Sequence, residues 1–110
     1  MIYVSTLFLK IRIMRLQIVT PEYVVFDAEV DSVTLPGKDG EFQLLNNHAP
    51  IVATLGEGTI KIKVHSTTFK DFDNASGTVY NSPADQHTLL LDIKGGILEL
   101  SNNFASVLAS

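Results

Sequence analysis

The stretch TIKIKV, residues 59–64, sets Ile60, Ile62 and Val64 against Lys61 and Lys63. Successive side chains of a strand point to opposite faces, so this period of two puts three branched residues on a core and two lysines in water. LQIV (16–19), YVVFD (23–27), AEVDSVTL (28–35), LLLDI (89–93), ILEL (97–100) and ASVL (105–108) read as strands in the same way. Turn residues stand between them: Thr20-Pro21-Glu22, Pro36-Gly37-Lys38-Asp39-Gly40, Gly56-Glu57-Gly58, Gly95-Gly96 and Ser101-Asn102-Asn103. Short alternating runs separated by such punctuation predict an all-β antiparallel sandwich or barrel.

Three segments depart from simple alternation. Within 28–35 the apolar parity switches from Ala28 and Val30 to Val33 and Leu35, which predicts a bulge or bend near Asp31-Ser32. Such a bend lets a strand pass from one sheet to another. PADQHTLLLDIK (83–94) is the best helical rival, with Pro83 placed for a helix start, yet its apolar run also fits a strand over 88–94. Residues 65–87, rich in Ser and Thr and containing DNASG, read as an extended hairpin or loop.

The 110 residues suit one domain with one core, and an apolar fraction of 45% suffices to pack it. A formal charge of −4 argues against a general phosphate-binding surface, so nucleic acid is not an expected partner. The chain has no cysteine, which excludes disulfides, thiolate metal sites and a cysteine nucleophile. No run reaches the roughly 20 apolar residues of a membrane-spanning helix. In the opening MIYVSTLFLKIRIMR the charges follow the apolar part, and no small-residue cleavage site comes after them. That is not signal-peptide grammar, so Met14 is expected as the natural start and residues 1–13 as an upstream extension.

GEFQLLNNHAP (40–50) holds Glu41 and His48 on either side of Leu44-Leu45. As an acid–base pair they lack a nucleophile motif and a third partner at an informative spacing, so a structural or contact role is the better reading. His48, His65 and His87 match no compact ligand pattern, and no metal is expected. PGKDG lacks the spacing and the following helix of a phosphate loop. NAS at 74–76 fits the N-glycosylation pattern but is a short match without a secretory signal beside it. The residues therefore announce no active site, and loops and sheet edges remain as docking surfaces.

VTPEYVVFDAEVDSVTLPGKDGEF, NHAPIVATL, GTIKI and GGILELSNN followed by ASVLA occur in the order of a known family. The chain resembles the N-terminal domain of the epsilon subunits of F-type ATP synthases (delta in mitochondrial naming). That resemblance covers residues 16–64 and 93–109 and agrees with a start at Met14. It implies a flattened β-sandwich of about ten short strands. It further implies a non-catalytic subunit of the central stalk, with no cofactor. Such a subunit binds the gamma subunit through one sheet face and the polar loops of the c-ring through one end. It sits peripherally on the cytoplasmic face of the bacterial inner membrane and couples rotation to ATP synthesis. By match to the family's motif, Lys38, Asp39, Gly40 and Glu41 fall at the c-ring-facing loop. Val25, Phe26, His48 and Pro50 fall at positions facing gamma.

Three departures qualify the match. The family segment reads closer to LGI-x-PGHAP, whereas here Gln43 replaces the glycine and Asn46-Asn47 the Pro-Gly. Asparagine adopts positive φ at low cost, so the turn is expected to survive. Residues 65–92 are longer than the family's compact hairpin. The chain ends at Ser110, about where long members begin a two-helix C-terminal hairpin, as in short family members or by truncation. Two other readings stand beside this one. The first is a free-standing sandwich module for a carbohydrate or peptide, for which Phe69, Phe72 and Tyr80 are the loose stacking candidates. The second is a small hydrolase using Glu41 and His48.

Overall fold

A computed structural model describes residues 14–64, 79–85 and 87–110. Among these every regular element is a strand, in ten segments. They are β1 (Met14–Val19), β2 (Val24–Val30), β3 (Ser32–Gly37), β4 (Gly40–Leu45), β5 (Ile51–Leu55), β6 (Gly58–Lys63), β7 (Val79–Asn81), β8 (Thr88–Ile93), β9 (Gly96–Ser101) and β10 (Phe104–Ala109). The order in space is β2-β1-β10-β9-β5-β3-β6-β8-β7, with β4 added on β3. A flattened β-sandwich results, its two five-stranded halves being β2-β1-β10-β9-β5 and β4-β3-β6-β8-β7.

Alternation sets which side chains meet. Ile60, Ile62, Leu98, Leu100, Ile18 and Leu16 are fully or almost fully buried between the halves, while Lys61 and Lys63 point to solvent. The parity switch falls where the sequence places it. β2 ends at Val30 in one half, Asp31 bends, and β3 begins at Ser32 in the other half. The Asp31 amide donates to the Lys63 carbonyl at 2.8 Å, tying the crossing to β6. The halves meet again where Gly37 faces Leu55, flanked by Lys38 N–H to Thr54 C=O at 2.9 Å and Gly56 N–H to Pro36 C=O at 2.7 Å.

Two features were not foreseen. β1 pairs with β10 in parallel, whereas every other described pairing is antiparallel. Residues 40–45 and 51–55 also form strands, which the alternation reading had not singled out. Among the described residues the helical rival is absent: Thr88–Ile93 is a strand, and Thr88 is bonded back to Asp85 and Ser82, its amide donating to the Asp85 carbonyl at 3.0 Å and its carbonyl accepting the Ser82 amide at 2.8 Å. Most of the segment read as an extended loop, 65–78, and the upstream extension 1–13 lie outside the described residues.

Asp85 organises the turn into β8. Its carboxylate accepts the His87 amide at 2.9 Å and the Thr88 hydroxyl at 3.0 Å. These bonds, the backbone one first, hold the Asp85 carboxyl below its usual range. A folded pKa below the unfolded one contributes stability above the ordinary carboxylate pKa, and that contribution is lost as pH falls through the folded value. An NMR titration of the Asp85 carboxyl carbon should give a midpoint below that of a free aspartate, and Asn at 85 should remove this part of the acid dependence. A midpoint at or above the free value would contradict the geometry.

Gly96 marks a close approach of β9 to β10. A Cβ there would lie 2.3 Å from the Leu108 carbonyl oxygen and 3.2 Å from the Ala109 Cα, both backbone atoms. At Gly95 the nearest atom is 3.4 Å away. Gly96→Ala should therefore destabilise by about 1–3 kcal/mol, the usual cost of overpacking, and Gly95→Ala by much less. Denaturant midpoints of the two variants check this.

Candidate interaction surfaces

The turn Gly37–Gly40 closes the β3–β4 hairpin, because Gly37 and Gly40 face each other and only Lys38 and Asp39 lie between them. Gly40 has φ +134°, a region that L side chains rarely adopt. The turn therefore presents Lys38, Asp39 and Glu41 to solvent as one mixed-charge tip. Glu41 forms an exposed ion pair with Lys61 of β6 at 3.4 Å, which in that setting is worth about 0–1 kcal/mol. Beside the tip an open groove of about 550 Å³ runs along β5, lined by Lys38, Glu41, Phe42, Val52 and Thr54.

Glu41 and His48 are not partners. Glu41 is at the start of β4 and His48 lies beyond its end, so the strand alone separates them by more than about 10 Å at its ordinary rise. The exposed His48 ring places Nδ1 2.7 Å from the Ala49 carbonyl oxygen. An oxygen acceptor there requires the proton on Nδ1, which leaves Nε2 facing away from that bond. Ala49 and Pro50 are exposed beside it. Among the described residues no group of three or more His, Asp or Glu side chains converges as a metal site, and His65 lies outside them. Phe69, Phe72 and the NAS sequence also fall outside the described residues. Tyr80 donates its hydroxyl to both Asp92 oxygens, at 3.1 and 3.3 Å. Desolvation, then that bond and the Asp92 charge, push its phenol up.

Val25 and Phe26 need correcting. They are 1% and 2% exposed and belong to the core, so neither side chain is open to a partner. The cause is a bulge: Ile18 faces Phe26 and Val19 faces Val24, which leaves Val25 as an extra residue in β2. A bulge breaks the alternation, and here two consecutive side chains both turn inward.

The apolar surface lies elsewhere on the same half. Across the outer face of β5-β9-β10-β1-β2, cross-strand partners line up as Thr54, Ile97, Leu108, Val19 and Val24. Leu108 is 61% exposed, and Ile97 and Val24 are exposed beside it. An open groove of about 540 Å³ follows this row, lined by Val19, Pro21, Ile97 and Leu108. The next row is Val52, Glu99, Ser106, Gln17 and Asp27, in which Val52 is 70% exposed. Asp27 is bound there by Arg15 at 2.8 Å. Sequence reasoning missed Ile97, Leu108 and Val52. Their signal is an apolar residue at the parity of Glu99, Ser106 and Thr54 respectively, where a strand with one wet face carries polar groups.

The family described as ATP synthase, Delta/Epsilon chain, beta-sandwich domain matches residues 13–73. The chain belongs to this family. The epsilon chain of Chlorobium limicola is 33% identical over 94 residues, covering 86% of this chain and 85% of that one. The epsilon chain of Desulforamulus reducens is 37% identical over 95 residues, covering 86% and 57%. This chain likewise spans 59% of the length of the Leptospira interrogans epsilon chain, at 30% identity over 86% of its own residues. In fold it is similar to a chain of the Euglena gracilis mitochondrial ATP synthase, with TM-score 0.66 at 14% identity, covering 88% of this chain and 50% of that one. A chain of the Tetrahymena thermophila mitochondrial ATP synthase central stalk and c-ring gives TM-score 0.60 at 15% identity, covering 89% and 63%.

If the outer row is surface and not core, Ile97→Ser with Leu108→Ser should leave the melting temperature nearly unchanged, since exposed substitutions usually cost within about 0.5 kcal/mol each. Retention on a hydrophobic-interaction column should fall. A collapse of the melting transition would place these side chains inside the fold.

Proposed function

We propose that this delta/epsilon family chain is a non-catalytic adaptor in the central stalk of a rotary ATP synthase, joining the gamma subunit to the c-ring. The observation that carries this reading is the apolar row of exposed Val24, Leu108 and Ile97 with half-buried Val19 between them, with Val52 exposed on the same sheet face. Apolar surface gathered in one place on a folded domain marks a docking face, since burying it releases about 25 cal/mol per Å². Gamma is the partner assigned to this face, together with the adjoining His48–Pro50 segment. The mixed-charge tip Lys38–Glu41, at a sheet end, is assigned to the polar loops of the c-ring. There the Glu41 carboxylate can exchange its weak bond to Lys61 for charge-assisted hydrogen bonds from the ring.

Face and end are then two separate contacts on one stiff body, which is what transmission of rotation requires. The names of the relatives, all epsilon chains of ATP synthases, support the assignment, as does the presence of fold neighbours in ATP synthase assemblies. On this reading the chain works peripherally, at the cytoplasmic face of the bacterial inner membrane.

Co-expression of the tagged chain with gamma and the c-ring of the same source tests both contacts. Gamma should co-purify and be lost on Leu108→Asp or Ile97→Asp. Glu41→Ala should weaken recovery of the c-ring while leaving gamma recovery and the melting temperature nearly unchanged. Failure to recover gamma with the unaltered, folded chain would overturn the stalk reading.

A further inference from the structure

Two turns from distant parts of the chain meet beside the His48–Pro50 segment. The first joins β4 to β5: the His48 amide donates to the Leu45 carbonyl at 3.3 Å, and Asn47, the third residue of this β-turn, has φ +66°. The second is the two-residue turn Asn102-Asn103 between the facing residues Ser101 and Phe104, with φ +53° and +61°. Positive φ at both central residues is the type I′ geometry that matches the twist of a hairpin, and asparagine tolerates it best among residues with a side chain.

Asn103 is only 6% exposed, one of two buried polar residues among those described. Its Oδ1 accepts the Asn47 amide at 2.7 Å and its Nδ2 donates to the Asn47 Oδ1 at 3.2 Å. Its own carbonyl accepts the Arg15 amide at 2.8 Å, fixing it to the start of β1. Asn46 reaches the same strand, its Oδ1 accepting the Met14 amide at 2.8 Å. The reciprocal pair therefore ties the segment before His48 to the β9–β10 hairpin, 56 residues away in sequence.

Backbone conformation alone does not call for this arrangement. A glycine at 47 would adopt the positive φ more cheaply. What asparagine adds at 47 is the Oδ1 that receives the Asn103 Nδ2, which turns one hydrogen bond into two and fixes an orientation. The buried Asn103 amide specifies geometry, because an arrangement without Asn47 would leave its side-chain oxygen and nitrogen unpaired away from water.

We propose that Asn103 is the positioning residue of the partner-docking loop. Through its paired bonds to Asn47 it holds His48, Ala49 and Pro50 in one arrangement before a partner arrives, without touching the partner itself. This rests on the stalk reading for the identity of the partner, gamma, but not for the ordering of the loop. Pre-ordering raises affinity because the apparent Kd is the intrinsic one divided by the competent fraction. If loss of the pair leaves about one molecule in ten competent, the apparent Kd for gamma rises about tenfold.

The test uses the full chain, with Asn103→Ala, Asn47→Gly and the double variant, all at a temperature where each is fully folded by circular dichroism. Two readouts are taken: the Kd for purified gamma, and the ¹⁵N order parameters of His48, Ala49 and Ile51. Asn103→Ala should raise Kd about tenfold and lower the order parameters of His48 and Ala49, leaving those of β9 and β10 unchanged. Asn47→Gly should do the same more mildly, since its amide still reaches Asn103. In the double variant the glycine should add little, because its partner is already gone. Asn103→Asp, which keeps the acceptor and loses the donor, should recover part of the ordering.

A wild-type Kd in folded Asn103→Ala, with only the melting temperature lowered, would overturn the positioning role and leave a structural one. If the unaltered chain does not bind gamma, the stalk reading fails, and the order parameters decide alone. Unchanged values at His48 and Ala49 would then overturn the proposal, and lowered values would uphold it.

Discussion

The parallel ladder between β1 and β10 is the constraint on which the remaining structure depends. It joins the first described strand to the last, Arg15 facing Phe104 through Val19 facing Leu108. Among the described residues β2 pairs only with β1, so without this ladder the half-sandwich would shrink to β10-β9-β5. The contact is long-range in sequence, and its loop-closure entropy is lost before any of its packing is gained. The return is the burial of Leu16 and Ile18 against Ala105 and Val107, all of them essentially inaccessible. The ladder also delivers the Asn102-Asn103 turn to the start of β1, through the Arg15 amide on the Asn103 carbonyl. The loop preceding β5 is therefore anchored by the same contact that joins the ends of the domain.

The crossing at Asp31 and the junction at Gly37 and Leu55 tie the two halves together at different places along β3. A sandwich linked twice by backbone hydrogen bonds resists sliding of one sheet over the other, and close packing between them transmits strain instead of absorbing it. The surfaces are segregated as a consequence. Most exposed large apolar side chains lie on the β5-to-β2 half, whereas the other half carries the lysines of β6 beside exposed Leu45 and Tyr80, and the mixed charges lie at the β3–β4 tip.

Sequence grammar reached the fold further than it reached the surface. TIKIKV gave β6 and its buried face because its lysines and branched residues alternate without exception. The parity switch near Asp31 gave the crossing because a strand with one dry face cannot change parity without bending. The parallel pairing left no mark, since the apolar runs of β1 and β10 would read the same in either direction. Val25 and Phe26 misled for a definite reason. In YVVFD four apolar residues run together, and which of them faces out depends on a bulge in β2 that shows only in its pairing with β1. The turn at Asn46-Asn47 was legible in its conformation, as the positive φ of Asn47 confirms, but not in its purpose. The partner of its side chain lies across the fold.

What remains after the core is accounted for is a small set of residues that break strand grammar in opposite directions. Ile97, Leu108 and Val52 are apolar at positions whose parity is polar, and Asn103 is polar where the surroundings are buried. The exposed branched side chains carry a cost that the isolated domain does not recover, since they invite aggregation, whereas the Asn103 amide, stripped of water, regains hydrogen bonds from Asn47. In a sequence otherwise consistent from local pattern to global packing, such exceptions concentrate where another requirement acts. They share one half of the sandwich, although Ile97 and Leu108 stand at the ends of β9 and β10 remote from the Asn102-Asn103 turn. The exposed residues lie on the sheet face that the β4–β5 loop borders, and the buried asparagine holds that loop. The proposed docking of a partner on this half accounts for the exposed face, and holding the β4–β5 loop in place gives the paired asparagines a part in it. Stability of the domain does not account for the exposed face.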